Sequence, residues 1–179
     1  MVKARELAKI INEQIYDLSD ADFTQQCKRE LDEKGVLTLS NFLNANTLKE
    51  LVEEAENGAS QAYYTNSTHN VYLTKINNNY KPEHVINKQL VSSKGCICTD
   101  QIQSDSKLKK LYNSNIFKSF IAAVVGEKSL FPYEDPLSSI NVHYAGAGQE
   151  LNWHFDNSEF AITLLLQSPI GGGEFQYLK

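Results

Sequence analysis

Apolar residues at Leu7, Ile10, Ile11 and Ile15 recur at the spacing of one helical face, with polar residues between them, so the chain is predicted to begin as helix. Asp20 or Asp22 is placed to cap a second helix through FTQQCKRELDEK, and Gly35 to stop it. A short carboxylate accepts from the free N–H groups of a first turn, and glycine readily takes the left-handed conformation that ends a last one. GVLTLSNFL reads as a short strand. Asn44 or Asn46 then caps TLKELVEEAENGA, whose buried face would be Leu48, Leu51, Val52 and Ala55. From Tyr63 to Asp100 the pattern is mixed and polar, with HNVYLT and KGCICTD its only strand-like pieces; long irregular regions of this kind carry functional loops. Helical spacing returns in DSKLKKLYNSNIFKSFIAAVVG as two short helices parted near Asn113 to Asn115 and ended by Gly126. The character then changes: SSINVHYAG, EFAITLLLQ and GEFQYL are β-rich, with turn chemistry in GAGQELN and SPIGGG between them.

Helices first and strands afterwards predict an α+β fold in which N-terminal helices buttress a sheet. The expected organisation is a single domain over residues 1–179, with N-terminal helices in 1–34, a helical and irregular support region in 35–134 and a β core in 135–179. Three or four strands leave one face and one edge needing cover, and GEFQYLK stops within a strand pattern, so the β core is expected to be incomplete at the C-terminus.

Composition narrows the function classes. The chain has 179 residues, 41% hydrophobic and 22% charged, which is ordinary for a soluble globular protein. A net charge of −5 with no concentrated Lys/Arg patch argues against nucleic acid as a partner. The start, MVKARELAKIINEQIYDL, lacks the apolar core of a signal peptide, and Glu6 and Glu13 weigh against a transit peptide. No apolar run approaches the roughly 20 residues that a membrane span needs. A soluble cytoplasmic protein without membrane contact is therefore expected, its oligomeric state open. Cys27, Cys96 and Cys98 are an odd count without metal-site spacing and read as buried free thiols.

The candidate chemistry lies in NWHFDNSEF. In an extended chain, residues two apart project to one side, so His154 and Asp156 would converge on one point while Trp153 and Phe155 take the other. Imidazole and carboxylate together suit divalent iron; two His and one carboxylate on one octahedral face leave three positions open for a co-substrate and dioxygen. Alone, the pair is a weak signal, and a histidine at a strand mouth bonded to backbone is the plainer alternative.

Context strengthens it. NVHYAGAGQELNWHFD gives strand, glycine turn and His-x-Asp; FAITLLLQSPIGGGEFQY gives strand, turn and strand. This order resembles the core of the Fe(II)/2-oxoglutarate-dependent dioxygenases, a double-stranded β-helix (a jelly-roll relative). More narrowly, HNVYLT, DPLSSINVHYAGAG, WHFDNSEFAITLLLQ and GGGEFQY look like the branch with small-molecule hydroxylases and halogenases of free amino acids. The resemblance covers about Leu31 to Lys179. It implies His154 and Asp156 as the first two iron ligands, 2-oxoglutarate as co-substrate, dioxygen as oxidant and a small-molecule substrate such as an amino acid or derivative. Halogenases of that branch replace the carboxylate with a small residue to admit chloride, so Asp156 implies hydroxylation. Asn157 stands where members that bind an amino-acid ammonium group tend to place an acid, which argues against a cationic amino acid. The family's distal histidine and its basic residue for 2-oxoglutarate lie beyond the GGEF turn and have no counterpart here, so a fragment is expected. The competing expectation is a non-catalytic or inactive truncated protein on the same scaffold.

Other residues carry lesser expectations. Tyr144 is a candidate donor to a 2-oxoglutarate carboxylate, or else a core tyrosine; Thr163 either faces the iron cavity or is an ordinary strand residue. Trp153 is expected to pack behind the ligand turn. His143 either joins the ligands or is a strand histidine satisfied by backbone. His69 is a pocket candidate whose plainer reading is an exposed loop residue, and His84 falls in the same irregular region. Gly171, Gly172 and Gly173 read as turn formers.

Overall fold

A computed structural model describes residues 4–179. Its elements in chain order are α1 (Ala4–Leu7), α2 (Ala21–Lys34), α3 (Ala45–Gly58), β1 (Tyr63–His69), β2 (Leu90–Ile97), α4 (Lys107–Tyr112), α5 (Asn115–Val125) and β3 (Val142–Tyr144), with 3-10 turns at Ala59–Gln61 and Thr99–Gln101. The chain divides into a helical unit of Met1–Asn57, Cys98–Ile140 and Phe175–Lys179, and a sheet unit of Gly58–Ile97 and Asn141–Glu174.

In the helical unit the expected caps form. The Asp20 carboxylate accepts from Asp22 N at 2.8 Å to open α2, and Gly35, at φ 76°, closes it by donating to the Leu31 carbonyl. Asn44 caps α3, accepting from Thr47 N at 2.9 Å, while its amide donates to the Lys9 carbonyl at 2.7 Å. Ser106 and Ser114 open α4 and α5, and Gly126, at φ 85°, ends α5. The core forms where α2 meets α5: the Phe23 ring stacks on Phe120, which is 2% exposed, and Tyr16 leans on both Phe23 and Phe42.

The N-terminal stretch departs from the predicted helix. Leu7, Ile10 and Ile11 are buried, but helix stops at Leu7, and Ile11 forms an isolated antiparallel bridge with Leu43. Ile15 is 54% exposed, and Tyr16 takes the buried place with its hydroxyl donating to the Ser40 carbonyl. A helix this short is marginal by itself, so backbone pairing with Phe42 and Asn44 decides the local structure. GVLTLSNFL, expected as a strand, contributes only that bridge.

The sheet unit holds a three-stranded antiparallel sheet in the order β1-β2-β3. Tyr63 faces Cys96 and His69 faces Leu90 across β1 and β2; Gly95, Cys96 and Ile97 face Tyr144, His143 and Val142 across β2 and β3. Gly95 and Ile97 are buried while Cys96 is half-exposed, the alternation a pleated strand dictates. A side chain at Gly95 would come within 2.6 Å of the Tyr64 ring, so glycine is what lets that ring lie across the strand.

Of the predicted strands, KGCICTD and SSINVHYAG are realised in part by β2 and β3. HNVYLT gives only His69 to β1 and then turns. EFAITLLLQ and GEFQYL join no ladder among the described residues, and Ile162, Leu165 and Phe175 are exposed. β-propensity sets an extended backbone, but a strand exists only through a paired neighbour. Gly172 and Gly173 do take positive φ, as turn formers should. No helix of the described residues is long and apolar enough to cross a membrane.

Candidate metal centre

Everything at this site belongs to the sheet unit, and it is built on a corner. β1 ends at His69, and the next residues wrap around Asn70, which is 0% exposed. Its amide oxygen accepts from Tyr72 N and Thr74 N, both at 3.1 Å, and its amide nitrogen donates to the Thr74 carbonyl at 3.0 Å. A buried amide is costly unless its atoms are bonded, so this full set of partners pins the loop.

The segment from Glu150 to Asp156 is laid along that corner. Ser93 N donates to the Glu150 carbonyl at 2.8 Å, and Phe155 N to the Val71 carbonyl at 2.8 Å. His69 Nε2 lies 3.1 Å from the Leu151 carbonyl oxygen, and its Nδ1 lies 3.0 Å from the Asn70 carbonyl oxygen. The Phe155 ring stacks on Tyr72 with centroids 5.4 Å apart, and the His154 ring meets His69 edge to face at 5.5 Å. Phe155 thus does the packing expected of Trp153; that tryptophan is 42% exposed, its backbone N–H bonded to the Asn152 side chain. The reason is that the loop offers an aromatic partner, Tyr72, to Phe155.

Within this frame His154 and Asp156 converge, His154 Nε2 lying 3.4 Å from Asp156 Oδ1. The other ring nitrogen, Nδ1, is 3.0 Å from the Asn152 carbonyl oxygen. A carbonyl only accepts, so Nδ1 carries the hydrogen, and Nε2 is the nitrogen that keeps a lone pair in the neutral ring. Two oxygen and nitrogen donors 3.4 Å apart can share one cation at an ordinary ligand distance of about 2.1 Å. Their side chains are 29% and 56% exposed, open enough for an ion to enter. A pair of this kind can serve a divalent first-row metal in general. Among the described residues no group of three or more His, Cys, Asp or Glu converges as a metal site.

The remaining candidates are distributed as follows. His143, on β3, accepts from the Lys94 ammonium through Nε2 at 3.2 Å, so that lone pair is already engaged. Its pKa is held below the ordinary histidine range by desolvation of the ring and, second, by the positive Lys94. Tyr144 is half-buried on the sheet face of Gly95 and Ile97, its hydroxyl close to Gly58. Thr163 is exposed on an extended stretch. His84 stacks on Tyr80 with centroids 4.5 Å apart and accepts from Ile86 N, a loop histidine satisfied locally. The expected burial of the thiols holds for Cys27, while Cys96 and Cys98 are half-exposed, and no disulfide joins them among the described residues.

Sequence reasoning undervalued His69 and passed over Asn70, Tyr72 and Asn152. The signal available for Asn70 was its position directly after a polar strand, where Asn side chains close turns on their own backbone. On the loop side of His69 lies an open hollow of about 390 Å³ lined by Thr68, His69, Leu73, Thr74, Lys75, Ile76 and Gln89. Lys75 is the one fully charged side chain in that lining.

A family model described as halogenase D matches residues 19–178, a span that includes both His154 and Asp156. Comparison with curated proteins finds no match. With nearly the whole chain covered by that model, the protein belongs to the halogenase D family, a halogenase-related family of enzymes.

Proposed function

We propose that this protein is an Fe(II)/2-oxoglutarate-dependent oxygenase of the double-stranded β-helix kind that hydroxylates a small molecule such as an amino acid or derivative. His154 and Asp156 are two of its iron ligands. The observation that carries the reading is the pairing of a histidine whose Nδ1–H is committed to backbone with a carboxylate 3.4 Å from its Nε2. A ligand histidine needs this arrangement, because a hydrogen bond at one ring nitrogen fixes the tautomer and orients the other toward the metal. Bound iron, with 2-oxoglutarate and dioxygen, supplies the oxidising chemistry.

The chain's own residues do the rest. Asp156 fills the position that halogenases of the resembling branch leave small, which supports hydroxylation over halogenation. The hydroxyls of Tyr144 and Thr163 are assigned to 2-oxoglutarate. The hollow beyond His69 offers the substrate hydroxyl, amide and ammonium groups and no carboxylate, which favours a neutral or acidic small molecule. Asn157, uncharged beside the ligand pair, agrees with that choice. Free thiols fit a reducing cytoplasm.

Anaerobic titration with ferrous iron tests the reading. A chain with a complete ligand set is expected to bind one ferrous ion, develop the 2-oxoglutarate charge-transfer absorption and form succinate in air, and to lose all three with His154→Ala or Asp156→Ala; a fragment without the distal histidine and basic residue is expected to show none of them. A wild-type chain that binds no iron would instead support a non-catalytic protein on the same scaffold, and unchanged succinate formation in either variant would remove these residues from the mechanism.

A further inference from the structure

His154 presents Nε2 outward only because a carbonyl lies beneath Nδ1, and that carbonyl belongs to Asn152, two residues back. Asn152 is one of three non-glycine residues described with positive φ, at 58°. In this left-handed conformation the chain doubles back, bringing the carbonyl of residue 152 to the ring of residue 154. Asparagine tolerates it better than most side chains, because its short amide bonds locally; here the side-chain oxygen accepts from Trp153 N at 3.0 Å. The preceding peptide is in contact with His69 as well, the Leu151 carbonyl oxygen lying 3.1 Å from His69 Nε2. The ring of His154 then rests edge-on against the same His69.

We infer that Asn152 is a positioning residue for the metal centre: its left-handed backbone, lying against His69, fixes His154 in the Nδ1–H tautomer and aims Nε2 beside Asp156. The inference rests on the iron-site reading for its consequence, but the tautomer itself is a property of the metal-free chain. What matters is the backbone, so a residue that accepts positive φ should replace asparagine and a β-branched one should not.

The experiment compares Asn152→Gly, Asn152→Asp, Asn152→Ala and Asn152→Val with wild type. The first readout is the ¹⁵N spectrum of metal-free protein labelled at histidine, with the His154 signals assigned by their loss in His154→Gln. Wild type, Asn152→Gly and Asn152→Asp are expected to hold a single Nδ1–H tautomer at His154, whereas Asn152→Val is expected to populate both. The second readout is ferrous affinity, expected within about 3-fold of wild type for Asn152→Gly and weaker by about 10-fold or more for Asn152→Val. Should Asn152→Val not fold, judged by thermal unfolding, Asn152→Ala takes its place as the strained variant. An unchanged tautomer in the strained variant, or an Asn152→Gly chain that loses it, overturns the inference. A wild type with the fixed tautomer but no iron affinity overturns the iron reading instead, and with it the positioning role.

Discussion

At the scale of single residues, hydrogen bonding decides which nitrogen of each histidine is available. Of the four histidines, His154 alone places a ring nitrogen beside a carboxylate while the other donates to backbone. His143 spends its Nε2 on Lys94, and that contact makes an acid-sensitive point. Its pKa is lowered in the folded chain, so the unfolded chain takes up a proton first as pH falls. The stability attached to a neutral His143 is complete above the ordinary histidine pKa of about 6.5 and is lost as pH falls from there through the folded value. Lys94→Met removes the second cause of the shift, and urea unfolding of this variant between pH 7.5 and 5 should lose less stability than wild type. An equal loss in both would show that the ammonium does not govern the ring. The chain itself displayed the identity and spacing of His154 and Asp156. It did not display the engagement of His143, because a contact between residues 49 positions apart depends on the register of β2 against β3.

At the scale of elements, helices were legible wherever their ends were chemically marked. Asp20, Asn44, Gly35 and Gly126 act within a turn of where they stand, so a cap can be read without knowing the fold. Replacing Asp20 with Ala leaves the Asp22 and Phe23 N–H groups unpaired and should cost about 1 kcal/mol, measured as a lowered urea midpoint with an unchanged slope. The first helix had no comparable stop signal, and its apolar pattern was satisfied by a bridge to Leu43. Strands fared worse for a physical reason. β1, YYTNSTH, has little apolar content and becomes a strand because β2 lies beside it, whereas EFAITLLLQ has every propensity for a strand and no ladder among the described residues.

At the scale of the whole molecule, each of the two units has its own organising centre. In the helical unit it is the aromatic cluster, where Phe120 is 2% exposed and stacks on Phe23 with ring planes 4° apart. Phe120→Ala should destabilise this unit by about 3–5 kcal/mol, read by thermal unfolding; a loss under 1 kcal/mol would mean that the cluster is not its core. In the sheet unit it is the Asn70 corner, on which the His154 and Asp156 segment is laid. The expected order of helices first and strands afterwards gives way to one in which β1 and β2 lie between α3 and α4, but by itself the sequence determined the α2 and α3 helices with their caps, the α4 and α5 helices with the glycine that ends them, and the turn glycines. All of these follow from local chemistry, in which a residue answers to neighbours a few positions away. Only the tertiary structure decided that His69 lies against the segment of His154 and Asp156, that Phe155 rather than Trp153 packs behind it, and that Asn152 turns its carbonyl under His154. These contacts join residues as far as 82 positions apart or depend on a left-handed backbone angle, and neither the periodicity of a chain nor the propensity of its residues encodes which of many partners is met.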